Sequence, residues 1–148
     1  MKSRLLPPSY FWSALVLTIV LHFVLPVMQI IPSPYRYLGI ILIVFGVVIN
    51  LWTDSLFKKA QTTVKPYQKP SAMLTSGPFR ISRHPMYLGM ASLLFGVAVL
   101  CGSLTPFFLP ILFIILMELM FISFEEKDLE KAFGEQYVEY KKKVRRWI

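Results

Sequence analysis

Four apolar runs, set apart by polar or proline-rich connections, organise this chain. The first is FWSALVLTIVLHFVLPVMQII over residues 11–31; the others cover approximately 37–53, 86–102 and 105–124. Each is close to the length of about 20 residues that a helix needs to cross the hydrocarbon core. The second and third are short for a full span, so tilt or local bilayer thinning makes up the remainder. The pattern predicts an all-α integral membrane bundle of about four transmembrane helices, folded as a single membrane-embedded domain over residues 1–148. A loop over 54–85 and a tail over 125–148 complete it.

The connections are unequal. Pro32 to Arg36 and a turn near Gly102 and Ser103 are short, whereas the loop before Met86 is long enough to be functional or disordered. It holds Pro66, Pro70, Gly77 and Pro78, and also Val64, Met73, Leu74, Phe79 and Ile81, apolar residues that argue for folding back onto something. The tail reads as an amphipathic helix: Leu129, Phe133 and Tyr137 recur four apart on one face, and Glu139 with Lys143 adds a possible pair. Gly134 weakens that helix or marks a bend. Such a tail either lies on an anionic leaflet or caps a pocket. YLGIILIVFGV from Tyr37 and YLGMASLLFGV from Tyr87 share YLG and FGV at the same spacing. In both, two glycines seven apart share a face and permit close helix approach; the pair also has the form of an inverted repeat. Pro26 and Pro110 are expected to bend their helices.

Composition agrees with the pattern: 55% of the 148 residues are hydrophobic and the mean hydropathy is +0.58. Lys2 and Arg4 ahead of an apolar run resemble a secretory signal, but the run is too long and no small-x-small cleavage site follows, so the expectation is a retained first helix. The net charge of +8 is distributed by topology. With four spans, Lys2, Arg4, Lys58, Lys59, Lys65, Lys69, Arg80, Arg83 and the basic tail share one side, leaving only Arg36 opposite. The positive-inside rule then makes both termini cytoplasmic. Nucleic-acid binding is not expected, because no soluble basic surface with interleaved aromatics is present. Cys101 is the single cysteine, which excludes a disulfide framework or a cysteine-based metal site; no metal is expected.

Chemistry concentrates in RISRHPMYLGM, residues 80–90. Pro85 suits the first position of a helix and holds His84 extended. The third span therefore starts there, its free N–H groups beside Arg80, Arg83 and His84, an arrangement suited to an anion. The alternative is that the arginines anchor to lipid phosphates and Tyr87 joins the interfacial aromatic belt. Glu125 and Glu126, directly after the fourth span, either pair with the nearby cations or hold a cationic or hydroxyl-bearing ligand. A zwitterion would fit both groups at once. Glu118 and His22, within apolar runs, are expensive in hydrocarbon. They pack against each other or Asn50, or line an acceptor cavity.

These residues carry a resemblance. Arg83, His84, Pro85, Tyr87 and Gly89 form an Arg-His-Pro-x-Tyr-x-Gly motif. Glu125, Glu126, Phe133, Gly134, Tyr137 and Tyr140 form an EE…FGxxYxxY tail. Over about Thr62 to Trp147 the chain resembles the isoprenylcysteine carboxyl methyltransferase and phospholipid methyltransferase family. The resemblance implies an integral-membrane enzyme using S-adenosylmethionine, with the loop and the C-terminal helix forming the cofactor site. It implies cofactor binding by Ser71, Ala72, Met73 and Leu74, by Phe79, by Arg83, His84, Pro85, Met86 and Tyr87, and by Glu125 with Glu126 close behind. No Gly-x-Gly occurs, as a non-Rossmann site requires. Where the eukaryotic prenylcysteine enzymes carry a substrate-binding arginine, one turn before the acidic residue, this chain has Phe121. A prenylcysteine carboxylate is thereby disfavoured.

The expected function is methyl transfer to a lipidic or small apolar acceptor, entering from the bilayer, whose reactive group is a carboxylate, amine or thiol. The cofactor's sulfonium already activates the methyl group, so the protein contributes mainly orientation. The sequence assigns no catalytic residue; His84 and Glu118 are the candidates for proton transfer. Two other readings stand beside this one: a four-helix proton-coupled transporter using Glu118, and a membrane interaction protein with a basic docking tail.

Overall fold

The computed structural model describes residues 6–62 and 71–148. Lys2, Arg4, Val64, Lys65, Pro66, Lys69 and Pro70, which enter the charge and loop readings, lie outside the described residues. The described chain is helical: α1 Pro7–Val24, α2 Gly39–Lys59, α3 Pro85–Cys101, α4 Phe108–Met117, α5 Ser123–Phe133 and α6 Glu135–Lys143. Short 3-10 turns cover Tyr35–Leu38, Gly77–Arg80 and Thr105–Phe107. A π-helical turn, Glu118–Ile122, joins α4 to α5. Among the described residues the only strand-like feature is an isolated bridge between Gln29 and Ser103.

Three segments are long and apolar enough to cross a membrane: Pro7–Val24, Tyr35–Lys59 and Thr105–Phe133. The third of the four expected spans is the 17-residue α3, apolar but shorter. It is the central helix, with Tyr87, Leu88, Ala91, Leu94 and Ala98 all buried. By contrast α2 turns Ile41, Val44, Val48 and Leu51 outward, as a helix does when its solvent is lipid. The main core joins Phe11 and Ala14 of α1, Tyr87, Ala91 and Leu94 of α3, and Phe113, Met117, Phe121 and Ile122.

Consecutive spans alternate in direction. Tyr10 near the start of α1 packs edge-on against Phe121, 5.7 Å between ring centres, whereas His22 near its end bonds Ser103 after α3. The α2–α3 interface is a glycine contact. A Cβ on Gly39 would stand 2.3 Å from the Gly96 carbonyl oxygen, and one on Gly46 2.6 Å from that of Gly89. The two glycine pairs thus face each other antiparallel, giving the shared YLG and FGV segments a packing role. Ser92 Oγ donates across the same interface to the Leu42 carbonyl at 2.9 Å.

Helix ends differ from the apolar runs in physically readable ways. The run to residue 31 is helical only to Val24. Pro26 stops the helix rather than bending it, because Leu25 is pushed to φ −137° and ψ 65°. The following residues fold over the α3–α4 turn, where Ile30 and Ile31 donate to the Gly102 carbonyl and Leu104 donates to Val27. Pro110 lies in the first turn of α4, directly after the 3-10 turn Thr105–Phe107. The last span runs on past 124 to Phe133. The tail helix breaks at Gly134, the position that marked a possible bend, whose φ of +55° is open to glycine. The tail's cross-helix ion pair is Lys141–Glu130 at 2.6 Å.

Gly46→Ala should destabilise the protein by about 1–3 kcal/mol, since the added methyl group meets the Gly89 carbonyl oxygen, which cannot yield without moving backbone, as well as the branch carbon of Leu93. The lipid-facing Val47→Ala should change it by less than about 0.5 kcal/mol. Thermal unfolding of the detergent-solubilised variants measures both.

Candidate functional site

The site begins with the loop that leads into α3. Proline at the first helical position leaves His84 as the N-cap, in a non-helical conformation at φ −128° and ψ 62°. Its backbone N–H is held by Ser82 Oγ at 3.1 Å, and its ring, like Ser82, is buried. Opposite this ring lies the start of α5. His84 Nδ1 stands 3.4 Å from Glu125 Oε2, and Nε2 stands 3.4 Å from Glu126 Oε1. Tyr87, one turn into α3, donates its hydroxyl to Glu125 Oε1 at 2.6 Å. The two motifs, some forty residues apart in sequence, form one cluster.

Glu126 is its centre. Oε1 accepts from Arg83 at 3.1 Å and from Arg146 Nε at 3.0 Å, and Oε2 accepts from the other arm of the Arg146 guanidinium. A buried carboxylate survives only with such pairing. Burial works against the charged form of His84, but hydrogen bonds and charge from Glu125 and Glu126 outweigh it and raise its pKa above the ordinary value. Glu125 keeps more of its side chain accessible, 24% against 9% for Glu126. Of the acidic pair, Glu125 is therefore the more accessible.

Not every expected site residue reaches this cluster. Phe79, Met73 and Leu74 belong to a neighbouring apolar group with Leu56 and Phe57 of α2 and Leu129, Phe133, Tyr137 and Tyr140 of the tail. Tyr140 OH donates to the Phe79 carbonyl at 2.6 Å. The apolar face of the tail is thus spent on the loop, as in the capping alternative. Ser71 bonds Thr62 Oγ1 and the Gln61 carbonyl, away from the acidic pair. Ala72 and Met86 are half-buried, Pro85 is buried, and Arg80 is exposed.

Other pairings differ from expectation. His22 and Glu118 do not meet: His22 Nδ1 bonds Ser103 Oγ at 2.8 Å, whereas Glu118 is held by the Arg146 guanidinium and by Trp147 Nε1, the latter at 3.1 Å. Asn50 lies against Gly89, its Oδ1 buried without a partner among the described residues. Phe121 is buried in the core, and positive charge reaches this end of the helix from Arg146 instead.

Sequence reasoning missed Arg146, Trp147 and Ser82. Arg146 read as one of many tail cations, and only tertiary structure brings it back: Arg83 N–H donates to the Arg145 carbonyl at 3.0 Å and Ser82 Oγ to that of Arg146 at 2.9 Å. A signal existed in Trp147, a large aromatic beside charges at the edge of an apolar bundle.

The family model for phospholipid methyltransferases matches residues 35–136. That stretch contains Arg83, His84, Tyr87, Glu125 and Glu126 and stops short of Arg146 and Trp147. An uncharacterised protein of Haemophilus influenzae is 36% identical over 63 residues, 43% of this chain and the whole of that protein. No solved structure matches. Apolar helices long enough to span a bilayer, the joined His-Pro-x-Tyr and Glu-Glu motifs and a match over most of the length lead to one assignment: the chain belongs to the phospholipid methyltransferase family of membrane methyltransferases.

Proposed function

We propose that this membrane methyltransferase uses S-adenosylmethionine, bound around His84, Tyr87, Glu125 and Arg83, and methylates a lipidic or small apolar acceptor. The observation that carries the reading is the meeting of the α3 entrance with the acidic start of α5, at 2.6 Å between Tyr87 and Glu125. The residues fit a zwitterionic amino-acid head. Arg83 Nε is buried with no hydrogen-bond partner among the described residues, which offers a donor to a carboxylate. Glu125 accepts a hydrogen bond on Oε1 from Tyr87, has the His84 ring 3.4 Å from Oε2, and retains acceptor capacity for an ammonium. Phe79, Met73 and Leu74 line the adjoining apolar group and suit the rest of the cofactor, with Pro85 and Met86 opening α3 beside His84 and Ser71 and Ala72 preceding Met73 on the loop.

The bound cofactor supplies a methyl group already activated by its sulfonium. The chain's own residues then have to orient it and keep water out. His84 fits a binding role better than that of a base, because two carboxylates favour its protonated form. Under the positive-inside rule the cluster and both termini face the cytoplasm. The transporter reading needs an unpartnered coupling carboxylate, whereas Glu118 is ion-paired with Arg146 and hydrogen-bonded by Trp147. The docking-tail reading needs a tail available to a partner, whereas Tyr137 and Tyr140 are buried against the loop.

Calorimetry on the detergent-solubilised protein should show saturable S-adenosylmethionine binding, weakened about tenfold or more by Glu125→Gln, the loss of one charge-assisted bond. A folded sample that takes up no heat on titration defeats the reading. The His84 ion pairs also set a pH dependence. A raised pKa means that their stabilisation is complete below the ordinary value of 6.5 and is lost as pH rises through the raised one. The thermal midpoint should therefore decline as pH is taken upward from 6.5, and His84→Gln should lack that component. Equal slopes in the two proteins would show that the carboxylates do not hold the imidazolium.

A further inference from the structure

We propose that Glu118 determines acceptor specificity, receiving the cationic, hydrogen-bond-donating head of a bilayer amphiphile on the membrane side of the reaction centre. Its meaning as an acceptor site rests on the methyltransferase reading above.

The argument starts from helix register. In an unbroken α-helix at about 100° per residue, Glu118 would lie about 20° from Glu125 and about 80° from Glu126. The π turn over Glu118–Ile122 inserts one extra residue, which turns the rest of the helix back by about 100° and brings Glu126 to within about 20° of Glu118. Ser123 Oγ satisfies the Glu118 carbonyl at 2.9 Å. With Glu118 and Glu126 on one face, a single Arg146 guanidinium reaches both carboxylates. Glu118 therefore stands one side chain away from the His84 cluster.

Its other side is apolar and exposed. Ile115 and Leu119, beside it on the same helix, are 48% and 66% exposed, the pattern of a spanning helix whose solvent is lipid, which gives an amphiphile a path to this carboxylate from the membrane. Bonding capacity separates it from its neighbour. Glu126 is enclosed by Arg83, His84 and the Nε and Nη2 nitrogens of Arg146, with only 9% of its side chain accessible. Glu118 accepts one bond on each oxygen, from Arg146 and from Trp147, and keeps 30% of its side chain accessible. Each carboxylate oxygen has a second acceptor position, so a donor can add without expelling Arg146. A carboxylate offers nothing to a carboxylate or thiolate acceptor. An ionisable residue within an apolar spanning helix normally faces protein or a ligand path, and here Arg146 and Trp147 hold it on the protein side.

Trp147 reports on the site because its indole N–H shares the carboxylate. The chain has three tryptophans, so a Trp12→Phe/Trp52→Phe background leaves Trp147 alone. Dodecylamine and dodecanol, which differ in head and not in tail, are the probes. Dodecylamine should shift Trp147 emission at a concentration about tenfold lower than dodecanol, the worth of one charge-assisted bond. Glu118→Gln should erase the difference and Glu118→Asp should retain part of it. Equal responses to the two probes, or a difference that survives Glu118→Gln, overturn the proposal. S-adenosylmethionine calorimetry on Glu118→Gln should give a Kd within about threefold of wild type; a loss of about tenfold would move Glu118 to the cofactor side and also overturn it. Wild-type protein that discriminates the amine but binds no S-adenosylmethionine would defeat the methyltransferase reading alone.

Discussion

A carboxylate that must stay charged at the edge of a bilayer constrains most of this structure. Glu126 is buried, and an ion there persists only if cations and hydrogen bonds replace its water. Arg83 comes from the loop, His84 from the cap of α3, and Arg146 from the segment after α6. Removing one partner from a buried pair costs about 3–5 kcal/mol, because the other charge is left behind. The loop, the central helix and the tail are thereby tied to one anion. The same ties hold Tyr87 against Glu125, where the more accessible carboxylate faces outward.

The apolar half of the molecule supports this cluster by letting α3 lie deep. Glycines at 39, 46, 89 and 96 bring α2 and α3 to backbone contact, so α3 is sheathed although it is the shorter helix. With few side chains between them, dispersion contact replaces the hydrophobic effect, which lipid does not provide between helices. At the opposite end, the segment after Val24 folds over the α3–α4 turn and fixes α1 against it. The polar cluster thus sits on a frame of closely packed helices.

Much of this was legible in the residues. Apolar runs and prolines located the helices, because lipid forces backbone bonds to close within each segment. The His-Pro-x-Tyr start and the Glu-Glu pair were visible as polarity placed where a bilayer resists it. The glycine spacing of seven implied one packing face. Less legible was the fate of each polar group. His22 and Glu118 looked like possible partners in the apolar region, yet they lie at opposite ends of the bundle, bound to Ser103 and Arg146. Tail periodicity was compatible with a membrane surface or a cap, and the contacts of Tyr137 and Tyr140 with Phe79 and Leu74 form the cap.

The sequence by itself determined an all-helical membrane protein with a polar centre at the entrance to the third apolar run, since hydropathy and proline act on neighbours along the chain. Tertiary structure alone decided which carboxylate is saturated and which stays open. Arg146 lies twenty residues beyond Glu126 and twenty-eight beyond Glu118, and a π turn, which leaves no mark in hydropathy, sets both carboxylates on its side. Pairing across such distances depends on helix register and on a return of the chain, and neither is written in local pattern.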